Sequence, residues 1–349
     1  MYPPFAWIAS RRLRLIRRTI LRCAATLLAA LLTVPAAAQQ FNFGLWGDMP
    51  YAKANDAPKI PKLIADMNAA DIAFSIYDGD IKDGSSKCTD DVYADAVRMF
   101  DSLRKPAVYV PGDNEWTDCH RIDNGGYDSM ERLSYVRKTL FADARSFGKS
   151  KMMLAHQGQP GEKFAENTRF VHRGIVFVAL NVPGSNNDKV NSDKDCAAKS
   201  ARTPAECAAT NAEYLERDAA DLAWIQESFA LAKAKKAKGI VIVQQGDPGF
   251  DLPETEDVNE RADPSHDGYT NLLSKLLFET RRFPGQVLFV HGDTHFFKVD
   301  KPLVRQADLV PNFTRLETFG SPNVHWVKVT VDPRTPELFI IHPMIVKGN

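Results

Sequence analysis

The sequence predicts an α/β fold, a largely parallel sheet with antiparallel edges. Three observations carry that prediction. Strand-length apolar runs alternate with segments of helical periodicity, the pattern of strands joined by crossover helices. Two apolar runs, 169–172 and 175–181, flank Arg173-Gly174, which reads as a tight hairpin. Five strand-like runs end in Gly-Asp, which fits chains turning sharply at the carboxyl rim of a sheet.

In chain order, residues 41–46 read as a strand. Residues 58–70 read as a helix, because Ile60, Leu63, Ile64 and Met67 share one face. Residues 72–77 form a strand, 92–103 a helix, 107–110 a strand and 129–141 a helix. After the hairpin, 212–238 is a long helix ending at Gly239, with lysines in the last turn where they suit the helix dipole. Residues 240–244, 287–290, 324–331 and 338–342 read as strands, and 268–280 as a helix. Two polar stretches, 184–211 and 246–267, read as surface loops. No composition break divides residues 39–349, so they are expected to form a single domain.

Composition narrows the function. The 349 residues carry 44 Lys+Arg against 44 Asp+Glu, and 44% of them are hydrophobic. Zero net charge supplies no basic excess to displace phosphate counterions, so nucleic acid is not expected as the main partner. The balance also conceals an asymmetry. Residues 1–38 hold six arginines (Arg11, Arg12, Arg14, Arg17, Arg18 and Arg22) and no acid. A mostly apolar run from Cys23 ends Val34-Pro35-Ala36-Ala37-Ala38, so 1–38 reads as a secretory signal peptide cleaved after Ala38. The run is short for a membrane span and contains Pro35, so no membrane association is expected after cleavage. Arg17-Arg18 opens the possibility of twin-arginine export, which carries folded proteins, against that of a generic basic leader. Subtracting six arginines from 44 leaves 38 basic against 44 acidic groups, a mature net charge of −6. The expected location is periplasmic or secreted.

Four cysteines remain after the leader: Cys88, Cys119, Cys196 and Cys207. An even number in an exported chain points to disulfides, and four allow three pairings. Cys88–Cys119 with Cys196–Cys207 is the favoured one, because the second pair encloses a short polar segment. Free buried thiols are the plain alternative. Without a Cys-x-x-Cys spacing, zinc is not indicated.

The chemistry concentrates in the five dipeptides Gly47-Asp48, Gly79-Asp80, Gly112-Asp113, Gly246-Asp247 and Gly292-Asp293. Aspartates converging on one dry rim repel one another, so they need cations or must hold protons. Divalent ions resolve this simply, since carboxylate, amide and imidazole groups are suitable ligands. The competing reading makes each Gly-Asp a turn or helix cap.

In order and spacing these residues resemble the calcineurin-like metallophosphoesterase superfamily, which includes the purple acid phosphatases. Asp48-Met49-Pro50 matches its Asp-x-His, and Gly79-Asp80 its second motif. Gly112-Asp113-Asn114-Glu115 matches Gly-Asn-His-Glu. Gln244-Gln245 fills the place of a histidine after an apolar strand, and Gly292-Asp293-Thr294-His295 matches Gly-His-x-His. The resemblance implies a four-layer αββα sandwich of two mixed sheets flanked by helices, hydrolysing a small phosphate ester with two divalent metal ions. It further implies that Asp80 bridges the ions, Asp48 and His295 complete one, and Asp113, Gln245 and Asp293 complete the other. Asp80 and Asn114 take the catalytic positions.

The departures from the family pattern are systematic. Pro50 cannot ligate. Asn114 stands where the family has a histidine that assists the leaving group, so it can hydrogen-bond a phosphoryl oxygen but not deliver a proton. Glu115 and His120, in the loop that follows, are the candidates for a replacement donor. Asp247 is a candidate substitute for Gln245, and His291 a supporting residue. The oxygen-rich set favours Mn²⁺, Mg²⁺ or Fe over Zn²⁺. The missing histidines also leave room for a non-hydrolytic member that binds metal, phosphate or a partner. An envelope structural domain would show no closely grouped aspartates.

Overall fold

The computed structural model describes residues 39–250, 265–302 and 309–349. The leader expected over 1–38 and most of the second long loop lie outside the described residues. Gln40–Asn349 form one compact unit.

Twelve strands among the described residues make two mixed sheets. The first sheet contains β1 (Phe41–Trp46), β2 (Ser75–Tyr77), β3 (Ala107–Tyr109), β11 (Trp326–Val331) and β12 (Phe339–Met344), in the order β12-β11-β1-β2-β3. Here β1, β2 and β3 run parallel, while β11 and β12 are antiparallel additions. The second sheet has the order β4-β5-β6-β7-β8-β10-β9. Its strands are β4 (Ala155–His156), β5 (Thr168–His172), β6 (Ile175–Ala179), β7 (Gly239–Val243), β8 (Gln286–His291), β9 (Lys298–Asp300) and β10 (Phe313–Glu317). Strands β6, β7, β8 and β10 are parallel, and the edges are antiparallel.

The core follows from alternation along the strands. Phe43, Leu45, Ile76, Val108, Val327 and Val329 of the first sheet meet Phe177, Val241, Val243, Leu288, Val290 and Leu316 of the second. The opposite faces carry helices. On the first sheet, Trp46, Tyr77, Tyr109 and Trp326 pack under α1 (Ile60–Ala69), α2 (Asp90–Asp101) and α3 (Ser129–Leu140). On the second, Val176, Ile240, Ile242, Val287 and Phe289 pack under α4 (Pro204–Ala234) and α5 (Thr270–Thr280). Two sheets face to face, with helices outside both, form the four-layer αββα arrangement that the resemblance implies.

Local signals explain most boundaries. Arg173 (φ 46°) and Gly174 (φ 80°) are both left-handed, as a two-residue hairpin requires, and His172 pairs with Ile175. Helix α4 begins at Pro204 rather than near 212. Thr203 and Glu206 close a reciprocal capping box around Pro204, and that local stop outweighs the polar composition of its first turns. It ends at Ala234, just before Lys236 turns left-handed at φ 52°. The stretch expected as a loop over 184–211 therefore contains a short helix, Asp193–Ala197, and the start of α4. Strand β10 is not expected from the sequence, because Phe-Thr-Arg-Leu-Glu carries two charged residues. Its Arg315 is buried and paired with Asp300 of β9.

Both favoured disulfides are present, Cys88–Cys119 and Cys196–Cys207, each with a Cα–Cα distance of 5.8 Å. No helix among the described residues is long and apolar enough to cross a membrane.

Candidate metal centre

The carboxyl ends of β1, β2, β3, β7 and β8 converge, and the loops leaving them carry the candidate residues. Asp48, Asp80, Asp293 and His295 all have positive φ, at 50°, 64°, 77° and 65°. Aspartate tolerates this region better than most residues, and such strained conformations gather at functional sites. The glycines allow the loops to touch. At Gly79 (φ 112°) a Cβ would lie 2.5 Å from Gln245 Cγ and 2.9 Å from Gly112 Cα. At Gly292 a Cβ would collide with the Asp48 carboxylate.

Asp48, Asp80 and His295 form the tightest group, with ligand atoms all within 4.8 Å of one another. Asp48 and Asp80 are buried and His295 is half-buried. His295 Nδ1 lies 2.7 Å from the Ser321 carbonyl, so Nδ1 carries a proton and Nε2 faces inward toward Asp48 and Tyr51. That Nε2 is 3.6 Å from Asp48 Oδ1. Burial pushes the Asp48 carboxyl up despite His295. Burial works against a charged His295 ring, yet Asp48 outweighs it and raises the ring to about 9. Together the two side chains retain a proton that a divalent cation would displace. Asp80 is pushed well up by burial, then by Asp113, Glu115 and Asp48. These donors suit a hard or borderline divalent ion.

Asp113, Gln245 and Asp293 also meet, but differently from expectation. Gln245 Oε1 accepts from Gly184 N at 2.5 Å, which turns its amide nitrogen toward the carboxylates. Nε2 donates to Asp113 Oδ1 at 3.1 Å and to Asp293 Oδ1 at 3.2 Å. The amide oxygen, expected as a ligand, is committed to the backbone. Ser185 Oγ donates to Asp113 Oδ2 at 2.7 Å and Asp247 N to Asp293 Oδ2 at 3.1 Å, so both carboxylates already have neutral donors. Burial and then Asp113 still hold Asp293 well above its ordinary range. Asp247 reaches this group only through its backbone. Its own carboxylate lies 3.9 Å from His291 Nε2.

Asn114 caps Asp80. Its backbone N donates to Asp80 Oδ1 at 3.1 Å, and its Nδ2 hydrogen-bonds Asp80 Oδ2. The proton-donor candidates fall elsewhere. Glu115 Oε1 accepts from Asp80 N, Gly112 N and Tyr109 Oη, so it braces the loops from behind. His120 is pushed down to about 4 by burial and then by Arg202 and Arg121.

Tyr51 escaped sequence reasoning. Its hydroxyl donates to Asp80 Oδ2 at 2.7 Å, accepts from Asn114 Nδ2 at 3.1 Å and lies 3.3 Å from His295 Nε2. Asp56 accepts from Tyr51 N at 3.0 Å and Asp83 from Ala52 N at 3.0 Å, which fixes the loop. The available signal was Tyr51's place directly after the Asp48-Met49-Pro50 motif. Ser185 was also missed. It opens a run of four left-handed residues, Ser185–Asp188, that wraps over Asp113.

No family model matches the chain, and no curated protein does. Solved structures do. GAP50, the anchor in the inner membrane complex of Plasmodium, is 15% identical, with 89% of this chain and 90% of that one covered and a TM-score of 0.42. Purple acid phosphatase PPD1 from yellow lupin (Lupinus luteus) seeds is 12% identical over 85% of this chain and 50% of its own, at TM-score 0.45. TT1561 of Thermus thermophilus is 12% identical, covering 88% and 100%, at TM-score 0.40. Likeness at this level assigns no activity to the chain.

Proposed function

We propose that the chain is an exported, metal-dependent phosphoesterase acting on a small phosphate ester. The observation that supports this reading is the buried Asp48–Asp80–His295 group, with its inward-facing imidazole nitrogen and closely spaced carboxylates at the strand ends. Such a group is costly to keep without a cation. In this reading Asp48, Asp80 and His295 hold the first ion. Asp113 and Asp293 offer oxygens for a second, which must displace the Gln245 Nε2 hydrogen bonds and so binds more weakly. Divalent ions at such a site lower the pKa of a water nucleophile and neutralise charge on phosphoryl oxygens.

The chain's own residues supply orientation and protons. Tyr51 and Asn114 fix the Asp80 carboxylate through both oxygens. Burial, then Asp80, raises the Tyr51 hydroxyl well above its ordinary range; it keeps its proton, and its place between Asp80, Asn114 and His295 is what puts it within reach of a leaving oxygen. Arg121, paired with Asp118 and hydrogen-bonded to Ser185 at 3.1 Å, is the partly exposed cation beside Asn114 for an incoming phosphate. The basic leader and two disulfides support a periplasmic or secreted location.

Asp80→Ala should abolish Mn²⁺- or Mg²⁺-dependent hydrolysis of an activated phosphomonoester or diester. Retained activity would overturn the assignment. A non-hydrolytic, phosphate- or metal-binding role is favoured by one observation, the Gln245 amide nitrogen standing between Asp113 and Asp293. Its signature is metal binding with no turnover of monoesters, diesters or nucleotides.

A further inference from the structure

A second group of ligand-type side chains gathers at the ends of three neighbouring parallel strands. Asp247 follows β7, His291 closes β8 and Glu317 closes β10. His291 and Glu317 are direct register partners, so their side chains emerge on the same side. That side is the helix-covered one. Phe289 and Phe313, in step with His291 and Glu317, lie in the outer core under α4 and α5, whereas Val290 and Leu316 face the other sheet.

The ligand atoms of Asp247, His291 and Glu317 all lie within 4.8 Å of one another. His291 Nδ1 is 2.9 Å from the Gly292 carbonyl, so the proton sits there and Nε2 is bare. Glu317 Oε1 accepts from Thr294 Oγ1 and, at 2.7 Å, from Phe296 N. Independently, His291 and Glu317 are both fully buried, and His291 Nε2 and Glu317 Oε2 have no hydrogen-bond partner among the described residues. Two unmet polar atoms in a dry interior, one acceptor nitrogen and one carboxylate oxygen, call for a shared electrophile. One imidazole with two carboxylates is a donor set for Zn²⁺, Mn²⁺ or Fe²⁺ rather than Ca²⁺.

We propose that Asp247, His291 and Glu317 bind one divalent transition-metal ion, distinct from the Asp48–Asp80–His295 centre. The ion pins the ends of β7, β8 and β10 together. Because Asp247 N also holds Asp293, the ion steadies the rim from behind.

The test uses the chain with Asp48→Asn and Asp80→Asn, which disarms the first centre, stripped by chelation and titrated with Co²⁺. Visible absorption and elemental analysis read the binding. One equivalent should bind with ligand-field bands of a nitrogen–oxygen site. Adding Glu317→Gln or His291→Gln should weaken it at least tenfold. Glu317→Gln keeps the shape and the Oε1 acceptor, so it decides the matter if the histidine variant does not fold. Absence of Co²⁺ binding in the doubly substituted chain would overturn the proposal, as would binding indifferent to Glu317→Gln. The competing arrangement, a protonated His291 shared between the two carboxylates, predicts the first of those results.

Discussion

Tyr51 concentrates what a single side chain contributes to this crevice. Its hydroxyl touches Asp80, Asn114 and His295 together, and the Asn114 amide beside it has no acidic proton to give a leaving oxygen. Tyr51→Phe should therefore lower kcat about 10²-fold on esters with poor leaving groups and much less on a nitrophenyl ester, the contrast expected of a general acid. Steady-state kinetics on the two substrate types measures it. An equal loss on both would assign Tyr51 to holding Asp80 alone. Asp48, Asp80 and His295 were singled out in the sequence by their places just after strand-like apolar runs, and the fold brings the three together. Tyr51 was not, since its reach depends on a turn held by Asp56 and Asp83, which no local pattern encodes. Gln245 was legible as a site residue but not in orientation. The Gly184 N–H that turns its amide lies 61 residues away.

At the scale of elements, the two disulfides brace different things. Cys88–Cys119 ties the approach to α2 to the loop that presents Asp113 and Asn114, across 31 residues. Cys196–Cys207 closes 11 residues at the start of α4. Loop-closure entropy makes the longer tie worth about 4 kcal/mol and the shorter about 3 kcal/mol. Replacing Cys88 and Cys119 by serine should thus destabilise the fold more than replacing Cys196 and Cys207, as urea unfolding would show. Only the first change should also impair metal binding. Periodicity and turn residues made the parallel strands and main helices readable. Strand β10 and the first two turns of α4 were hidden for opposite reasons: β10 buries Arg315 and Glu317, the first paired with Asp300 across the sheet, and α4 opens on polar residues stabilised by its capping box.

For the whole molecule, the buried acids set the dependence on pH and metal. Burial raises Asp48, Asp80 and Asp293, and it raises Asp118, aided by Asp113, to about 7. Each holds its proton more tightly folded than unfolded. The folded chain therefore binds more protons, and stability falls as pH rises through the folded pKa values. Stripped of metal, the protein should lose stability as pH rises from about 5 to about 8, the buried acids outweighing the opposite effect of His120, which is pushed down to about 4. Saturating Mn²⁺ should remove most of that loss, because an ion binding only the folded state stabilises it. Thermal melts at about pH 5 and pH 8, with and without chelator, measure this. A metal-free protein equally stable at both would contradict the burial of these charges.

The placement of β1 has a consequence for biogenesis. This strand lies inside the first sheet and pairs with β11, as in Phe41 with Val331. At ordinary translation speeds the ribosome needs roughly 15–60 s to deliver that partner. His295 follows Asp48 by almost the same interval. The nascent chain thus has β2 and β3 beside β1 early, but carries Asp48 and Asp80 through most of synthesis without β11 or the His295 side chain. The Asp48–Asp80–His295 group therefore comes together only when the polypeptide is nearly complete, so any ion it takes would be taken after synthesis rather than during it.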